Sequence, residues 1–311
     1  MKCKIIAQYK NGNYNVMLYN DGTKIRFNNE DYMEAEFPES IDCKISNRCD
    51  MGCPMCHEQS VPGGALANLN HPIFDSLHAG TELALGGGNV LEHPGLHEFL
   101  FRVTRQGIIC NMTIHVRHFI EYYNDIQYYV DHQVIHGIGI SINEPIGDGV
   151  IEMIKRFPNA VVHVIAGIVP WETLVRLSNN NIKLLILGYK TWGRGIQYAE
   201  NHNEIQQNIH TLETRLPYLM EHFALISFDN LALEQLHMRD HVSNEEWEKC
   251  YMGDDGTHTM YIDMVKEEYT ISSTSPRIKI DSDNINELFA NVKLMRRKAI
   301  ANANMAHMGR R

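Results

Sequence analysis

Three cysteines fall within eight residues, in the segment Asn47-Arg48-Cys49-Asp50-Met51-Gly52-Cys53-Pro54-Met55-Cys56-His57. Gly52 and Pro54 bend this segment, so its thiolates can wrap around one centre. Three chemistries use such a set. A [4Fe-4S] cluster is held by cysteine thiolates, and with three protein ligands it keeps one iron open to a small molecule. Structural zinc accepts three Cys and one His, which would make His57 the fourth donor, although its position next to Cys56 is poor geometry for that. Cys53-Pro54-Met55-Cys56-His57 also matches the C-x-x-C-H of c-type haem attachment. That attachment normally follows export, and the only early apolar run, Ile5-Ile6-Ala7, is too short for an export signal.

The elements that must position this segment follow a rhythm. The chain has 311 residues, 44% hydrophobic and 21% charged, which excludes disordered, collagenous and disulfide-scaffold classes. From residue 40, strand-like runs at 41–46, 82–86, 108–115, 138–142, 161–166, 183–187 and 223–228 alternate with helix-like segments. Such alternation predicts parallel βαβ units. Asn111, Thr113 and His115 face one way while Cys110, Met112 and Ile114 face the other; Gly137, Gly139 and Ser141 alternate likewise with isoleucines. A doubly wound sheet covers both faces with helices and reads as continuous apolar runs. One polar face suits instead an α/β barrel with a ligand inside. Ahead of it, Asn20-Asp21-Gly22 between β-prone runs predicts an N-terminal β-hairpin. After Asn230 come short helices, a strand over 259–269 and a terminal helix over 286–303. The expected division is 1–39 for the hairpin, 40–230 for the barrel and 231–311 for a C-terminal α/β extension.

The spacing resembles the C-x3-C-x2-C signature of the radical S-adenosylmethionine superfamily, and the resemblance covers roughly residues 40–230. It implies a partial (βα)6-type TIM barrel in which the cysteine loop follows the first strand and a glycine-rich segment ends the second. Here that segment is Gly86-Gly87-Gly88-Asn89. The resemblance implies that Cys49, Cys53 and Cys56 ligate a [4Fe-4S] cluster. It implies that Gly86, Gly87, Gly88 and Asn89 approach S-adenosylmethionine, that Ser141, Asn143 and Gly167 line its other side, and that Met55 packs on its adenine. Many relatives carry a glutamate after the paired glycines; Gly88 or Asn89 stands there in this chain. The implied chemistry is reductive cleavage of S-adenosylmethionine to a 5′-deoxyadenosyl radical. The radical removes a hydrogen atom from an unidentified small molecule, nucleotide or peptide. An external donor such as flavodoxin or ferredoxin supplies the electron. The alternative is a zinc or iron-sulfur module with a structural or regulatory role.

Catalytic side chains are less defined. His115, Asn143, His163, Lys190 and Asp229 fall near strand ends, and Cys250 is a candidate hydrogen-atom donor. His237 and His241, with Asp240 between, form a possible metal face. Cys3, Cys43, Cys110 and Cys250 are far apart, so no auxiliary cluster is expected. A net charge of -10 disfavours large nucleic acids as partners. The exception is a basic stretch of Lys293, Arg296, Arg297, Lys298, Arg310 and Arg311. No run approaches the roughly 18 apolar residues of a membrane span, so no membrane partner and a cytoplasmic location are expected.

Overall fold

The structure, a computed structural model, describes residues 3–308. Three antiparallel strands come first: β1 (Ile5–Asn11), β2 (Tyr14–Tyr19) and β3 (Lys24–Phe27). The predicted hairpin turn at Asn20-Asp21-Gly22 joins β2 and β3, with Gly22 at φ +92° and the Asp21 carboxylate accepting from the Thr23 amide. β1 was not expected. Its signal is the Gly12-Asn13 turn, with Gly12 at φ +59°.

Next come β4 (Ser40–Ser46), β5 (Glu82–Gly87), β6 (Ile109–His115), β7 (Gly137–Ser141), β8 (Ala160–Ile165), β9 (Lys183–Leu187) and β10 (Leu225–Phe228). They match the seven predicted runs. β11 (Thr259–Asp263) follows, then β12 (Glu268–Thr270) and β13 (Ile278–Lys279). The ten form one sheet in the order β10-β9-β8-β7-β6-β5-β4-β11-β12-β13, parallel from β10 through β11. Eight parallel strands therefore stand where the resemblance implies six, because β10 and β11 extend the two sides.

The order explains the two faces. From β4 to β10 each strand pairs with the next in sequence, with no reversal, so right-handed crossovers all fall on one side of the sheet. A doubly wound sheet requires a reversal. The helix-facing positions are apolar and buried, as in Ile41-Cys43-Ile45, Cys110-Met112-Ile114 and Val162-Val164. The first crossover helix, Leu96–Arg105, buries Leu96, Phe99, Leu100 and Val103, one stripe at helical spacing. The opposite face lines a cavity of about 1020 Å³ reached by residues from β4 to β10.

The N-terminal strands are tied to this body by buried charges. Arg26 donates to both Glu39 carboxylate oxygens at 2.8 and 3.0 Å, and Lys24 pairs with Glu39 at 3.2 Å and Glu82 at 2.6 Å. Tyr14 donates to Glu39, and the His258 Nδ1 lies 2.9 Å from the same hydroxyl. Burial would raise Glu39, but the Arg26 hydrogen bonds and the Lys24 charge override it and hold the carboxyl below its usual range. Burial, followed by the Arg26 charge, pushes His258 down to about 4. Both folded-state values lie below the unfolded ones, so both contributions exist at neutral pH and vanish on acidification. The loss begins near 6.5 for His258 and near 4.5 for Glu39. Thermal melts are thus expected to fall steadily below about pH 6.5, and His258→Gln to flatten the upper part of that fall. A wild-type melt unchanged between about pH 7 and pH 5 would contradict this coupling.

The last helix, Ile285–Met308, carries the basic stretch. Lys293 donates to the Ala35 carbonyl at 2.7 Å, Arg296 pairs with Asp254 at 2.5 Å, and Arg297 meets Glu34 at 3.4 Å. These cations dock the helix on the body. Arg310 and Arg311 lie outside the described residues. No helix among the described residues is long and apolar enough to cross a membrane.

Candidate functional site

The cysteine loop leaves the C-terminal end of β4, the end where the sheet's ligand sites form. Its stem is strand-like: the Cys49 amide donates to Val61 at 3.0 Å, Val61 to Asn47 at 3.0 Å, and Asn47 to Ala65 at 2.8 Å. Gly52, at φ +62°, turns the chain between Cys49 and Cys53. The Cys56 amide closes a turn onto the Cys53 carbonyl at 3.2 Å. All three thiols are half-buried, and none is in a disulfide.

Arg194, at the start of the helix Arg194–Asn201, holds the loop from the far side. Its Nε donates to the Cys53 carbonyl at 3.2 Å, its Nη1 to Ser60 at 3.0 Å, and its amide to Cys56 at 3.3 Å. The preceding Gly193 sits at φ +56°, where a Cβ would lie 2.4 Å from the His57 carbonyl oxygen. Spacing along the chain gave no sign of Arg194, because it lies 141 residues from Cys53.

The glycine segment meets the loop main chain to main chain. The Gly88 amide donates to Ser46 and the Asn89 amide to Arg48, both at 2.7 Å. A Cβ on Gly88 would stand 2.1 Å from the Arg48 carbonyl oxygen; on Gly87, at φ +105°, it would stand 2.3 Å from that of Ser46. Gly86 differs: a Cβ there meets nothing within 4 Å. Gly87 and Gly88 therefore admit the cysteine loop, and only Gly86 offers open backbone.

Asn89 is buried and occupied. Its Oδ1 accepts from Leu91, capping the turn Val90–Glu92, and its Nδ2 donates to the Glu92 carboxylate at 3.1 Å. The Glu92 charge reaches Cys49, so a carboxylate does stand beside the loop, three residues after Asn89.

Burial raises the Cys49 thiol, and the Cys56, Asp50 and Glu92 charges raise it further. Burial raises Cys53, with Cys56 and Cys49 adding to it. The three sulfurs do not all lie within 4.8 Å of one another, yet their charges couple with each other and with those of two carboxylates, so ionised thiols here call for a cationic centre. The donor set therefore fits an iron-sulfur cluster or zinc.

His57 turns away from this set, with its Nε2 at 3.3 Å from Glu58. Glu58 in turn pairs with Lys44 at 2.8 Å, in a buried group with Asp263 and Arg277. The histidine that does approach is His118. Its Nε2 lies 2.7 Å from Asp50, and Cys49, Asp50 and His118 place donor atoms within 4.8 Å of one another.

The other predicted residues divide. Ser141 is half-buried at the end of β7, and its hydroxyl has no hydrogen-bond partner among the described residues. Met55 packs against the edge of the core. Asn143 accepts from the Ile165 amide at 2.8 Å, bridging the ends of β7 and β8. Gly167, at φ +80°, lets the helix Glu204–Thr214 approach, since a Cβ would lie 2.9 Å from Ile205. His115 caps the helix Val116–Glu121 and is pushed down first by burial. Lys190 donates to Ser273 at 2.9 Å, and Asp229 accepts from Gly188 and Ala232. His163 and Cys250 line the large cavity, away from the cysteine loop's own contacts. His237 and His241 meet Glu213, at 3.0 and 3.5 Å, rather than joining Asp240.

No family model matches the sequence, and no curated protein does. The fold does have a counterpart among solved structures. Streptococcus suis SuiB bound to S-adenosylmethionine superposes with a TM-score of 0.50 at 12% identity, over 76% of this chain and 60% of that one. The likeness is one of fold: a large, mostly parallel sheet with helices on one side.

Proposed function

We propose that this chain is a radical S-adenosylmethionine enzyme. Its sheet is read as an open β/α barrel with core 40–230, and its cluster is held by Cys49, Cys53 and Cys56. The observation that carries the reading is the joint between two elements. The loop bearing the three cysteines follows the first parallel strand, and its carbonyls are stitched to the glycine end of the second. The fold likeness to a structure solved with S-adenosylmethionine supports it.

When bound, the cluster supplies the electron that breaks the sulfur–C5′ bond of S-adenosylmethionine, giving a radical that takes a hydrogen atom from substrate. The chain's own residues bind and orient. Arg194 and the strand-like stem fix the loop's main chain. Gly86 offers open backbone, Ser141 a free hydroxyl, and Met55 an apolar surface for the adenine. Asn143 and Gly167 shape the strand ends behind them. Glu92, steered by Asn89, supplies the carboxylate for the ammonium group. A flavodoxin or ferredoxin is the proposed electron donor, and the cytoplasm the proposed compartment.

Glu92→Gln is expected to weaken S-adenosylmethionine binding by about tenfold, the worth of a charge-assisted hydrogen bond, with iron content unchanged. Equal affinity by calorimetry would remove Glu92 from the site.

The Cys49, Asp50 and His118 grouping favours a second reading, a non-catalytic metal module. Metal analysis of anaerobically purified protein separates the two. The enzyme predicts about four irons and four sulfides per chain. Stoichiometric zinc without sulfide would overturn the proposal.

A further inference from the structure

Four polar side chains on the wall of the large cavity have no partner among the described residues. Asp42, Asn111, Thr113 and His163 all line it. None of their side chains makes a hydrogen bond or ion pair with another described residue. Asp42 is exposed to the cavity and the other three are half-buried, so their polar atoms are open to a ligand.

Their spacing is regular. In the strand register Asp42 pairs with Ala84 and Ala84 with Asn111; Thr113 pairs with Gly139 and Gly139 with Val161, two residues before His163. Asp42 and Asn111 thus flank a small residue, with backbones about 10 Å apart. Thr113 and His163 flank another. A Cβ on Gly139 would stand 2.2 Å from the His163 ring, and one on Gly137 2.7 Å from the Asn111 amide. Both groups therefore occupy space that a side chain at Gly137 or Gly139 would fill. Elsewhere the cavity wall carries Phe228, Trp247 and Tyr251.

Charge narrows the ligand further. Two lysines line this wall, Lys183 on the Asp21 carbonyl and Lys249 paired with Glu245. Asp42 has no ion-pair partner. Burial raises it, Lys190 opposes that, and Asp255, Asp229 and Glu58 add to it. Burial pushes His163 down to about 4, so its ring is neutral, with one donor and one acceptor nitrogen.

We infer that this lumen binds an uncharged nitrogen heterocycle of nucleobase type, its ring edge read by Asp42, Asn111, Thr113 and His163. A carboxyl, an amide, a hydroxyl and an imidazole match a ring edge of alternating N–H, ring nitrogen and carbonyl groups. Aromatic walls favour a flat ring over a polyol, and four carboxylates on the wall (Asp21, Asp42, Glu82 and Glu246) against two lysines disfavour a phosphate. Calling this ligand the substrate rests on the proposed radical chemistry; the binding itself does not.

The test uses the full chain without metal, by thermal shift and calorimetry. The probes are adenine, guanine, cytosine and uracil, their nucleosides, and the matching 5′-monophosphates. At least one base or nucleoside is expected to bind with Kd below roughly 1 mM. It should bind about tenfold or more tightly than its monophosphate, and lose about tenfold with Asp42→Asn. Ala84→Phe should block binding by filling the gap; if it does not fold, Asp42→Asn carries the test. No binding by any base or nucleoside, equal binding of the monophosphate, or an unchanged Asp42→Asn affinity would each overturn the inference. S-adenosylmethionine cleavage without base binding would defeat this inference alone. Base binding without cleavage by the loaded protein would defeat the proposed reaction alone.

Discussion

Cys53→Ala is expected to remove S-adenosylmethionine cleavage and cluster retention together, while the chain stays folded. Losing an outer-shell partner typically costs about 10–100-fold in metal affinity, and losing one of three direct ligands should cost more. The fold should tolerate the change for a reason visible in the loop. Its shape rests on main-chain bonds, namely Cys49 to Val61, Cys56 to Cys53, and the Arg194 clamp on the Cys53 and Ser60 carbonyls. None of these uses a sulfur. The half-buried Sγ contributes little packing, so a melting temperature within a few degrees of wild type is expected for the metal-free proteins. Iron analysis, product chromatography and a thermal melt on one preparation check all three parts. A variant that keeps iron and cleavage would remove Cys53 from the site; one that unfolds would make the loop structural.

Gly88→Ala and Gly86→Ala are expected to differ sharply, although the two glycines are two residues apart. At Gly88 the new methyl would stand 2.1 Å from the Arg48 carbonyl oxygen and 2.8 Å from its carbon. Backbone must move, and with it the Gly88–Ser46 and Asn89–Arg48 bonds that seat the loop on β5. Forced overpacking of this kind costs about 1–3 kcal/mol, and cluster retention should fall as the loop is displaced. At Gly86 the methyl enters open space, so stability should be kept, or gain slightly from a less flexible unfolded chain. S-adenosylmethionine affinity should nonetheless fall, because the proposed site puts the ligand in that space. Equal melting temperatures for the two variants would show that the glycine end of β5 does not support the loop.

What the sequence revealed here, and what it hid, follows from the range of each interaction. The cysteine loop was legible because its chemistry lies within eight residues. The seven runs from β4 to β10 were legible because one polar face leaves alternation in strands such as Asn111-Met112-Thr113. Sheet order was partly legible too, since that polar face excludes helices from one side. The pairing of β11 beside β4 was not, because nothing local in Thr259–Asp263 specifies a partner over two hundred residues away. The same limit hid Arg194 and the Glu213 link to His237. The glycine-rich segment was found but read too uniformly: its residues are alike in type, yet two admit a carbonyl and one faces space. Asn89, expected near the ligand, caps a turn through its side chain, a frequent use of asparagine ahead of a helical turn.

The partnerless polar groups of the lumen were visible only as a parity pattern. Asn111, Thr113 and His163 stood out as polar positions on strands, but that they go unpaired depends on what neighbouring strands place opposite them. Ala84, Gly137 and Gly139 are those neighbours, and their small size leaves the room.

The central claim is that the three-cysteine loop supports reductive cleavage of S-adenosylmethionine. The most direct measurement is 5′-deoxyadenosine formation by anaerobically reconstituted protein given S-adenosylmethionine and a strong reductant. The account predicts product that depends on the reductant, on iron, and on each of Cys49, Cys53 and Cys56. Fully reconstituted protein that forms no 5′-deoxyadenosine under these conditions would contradict it.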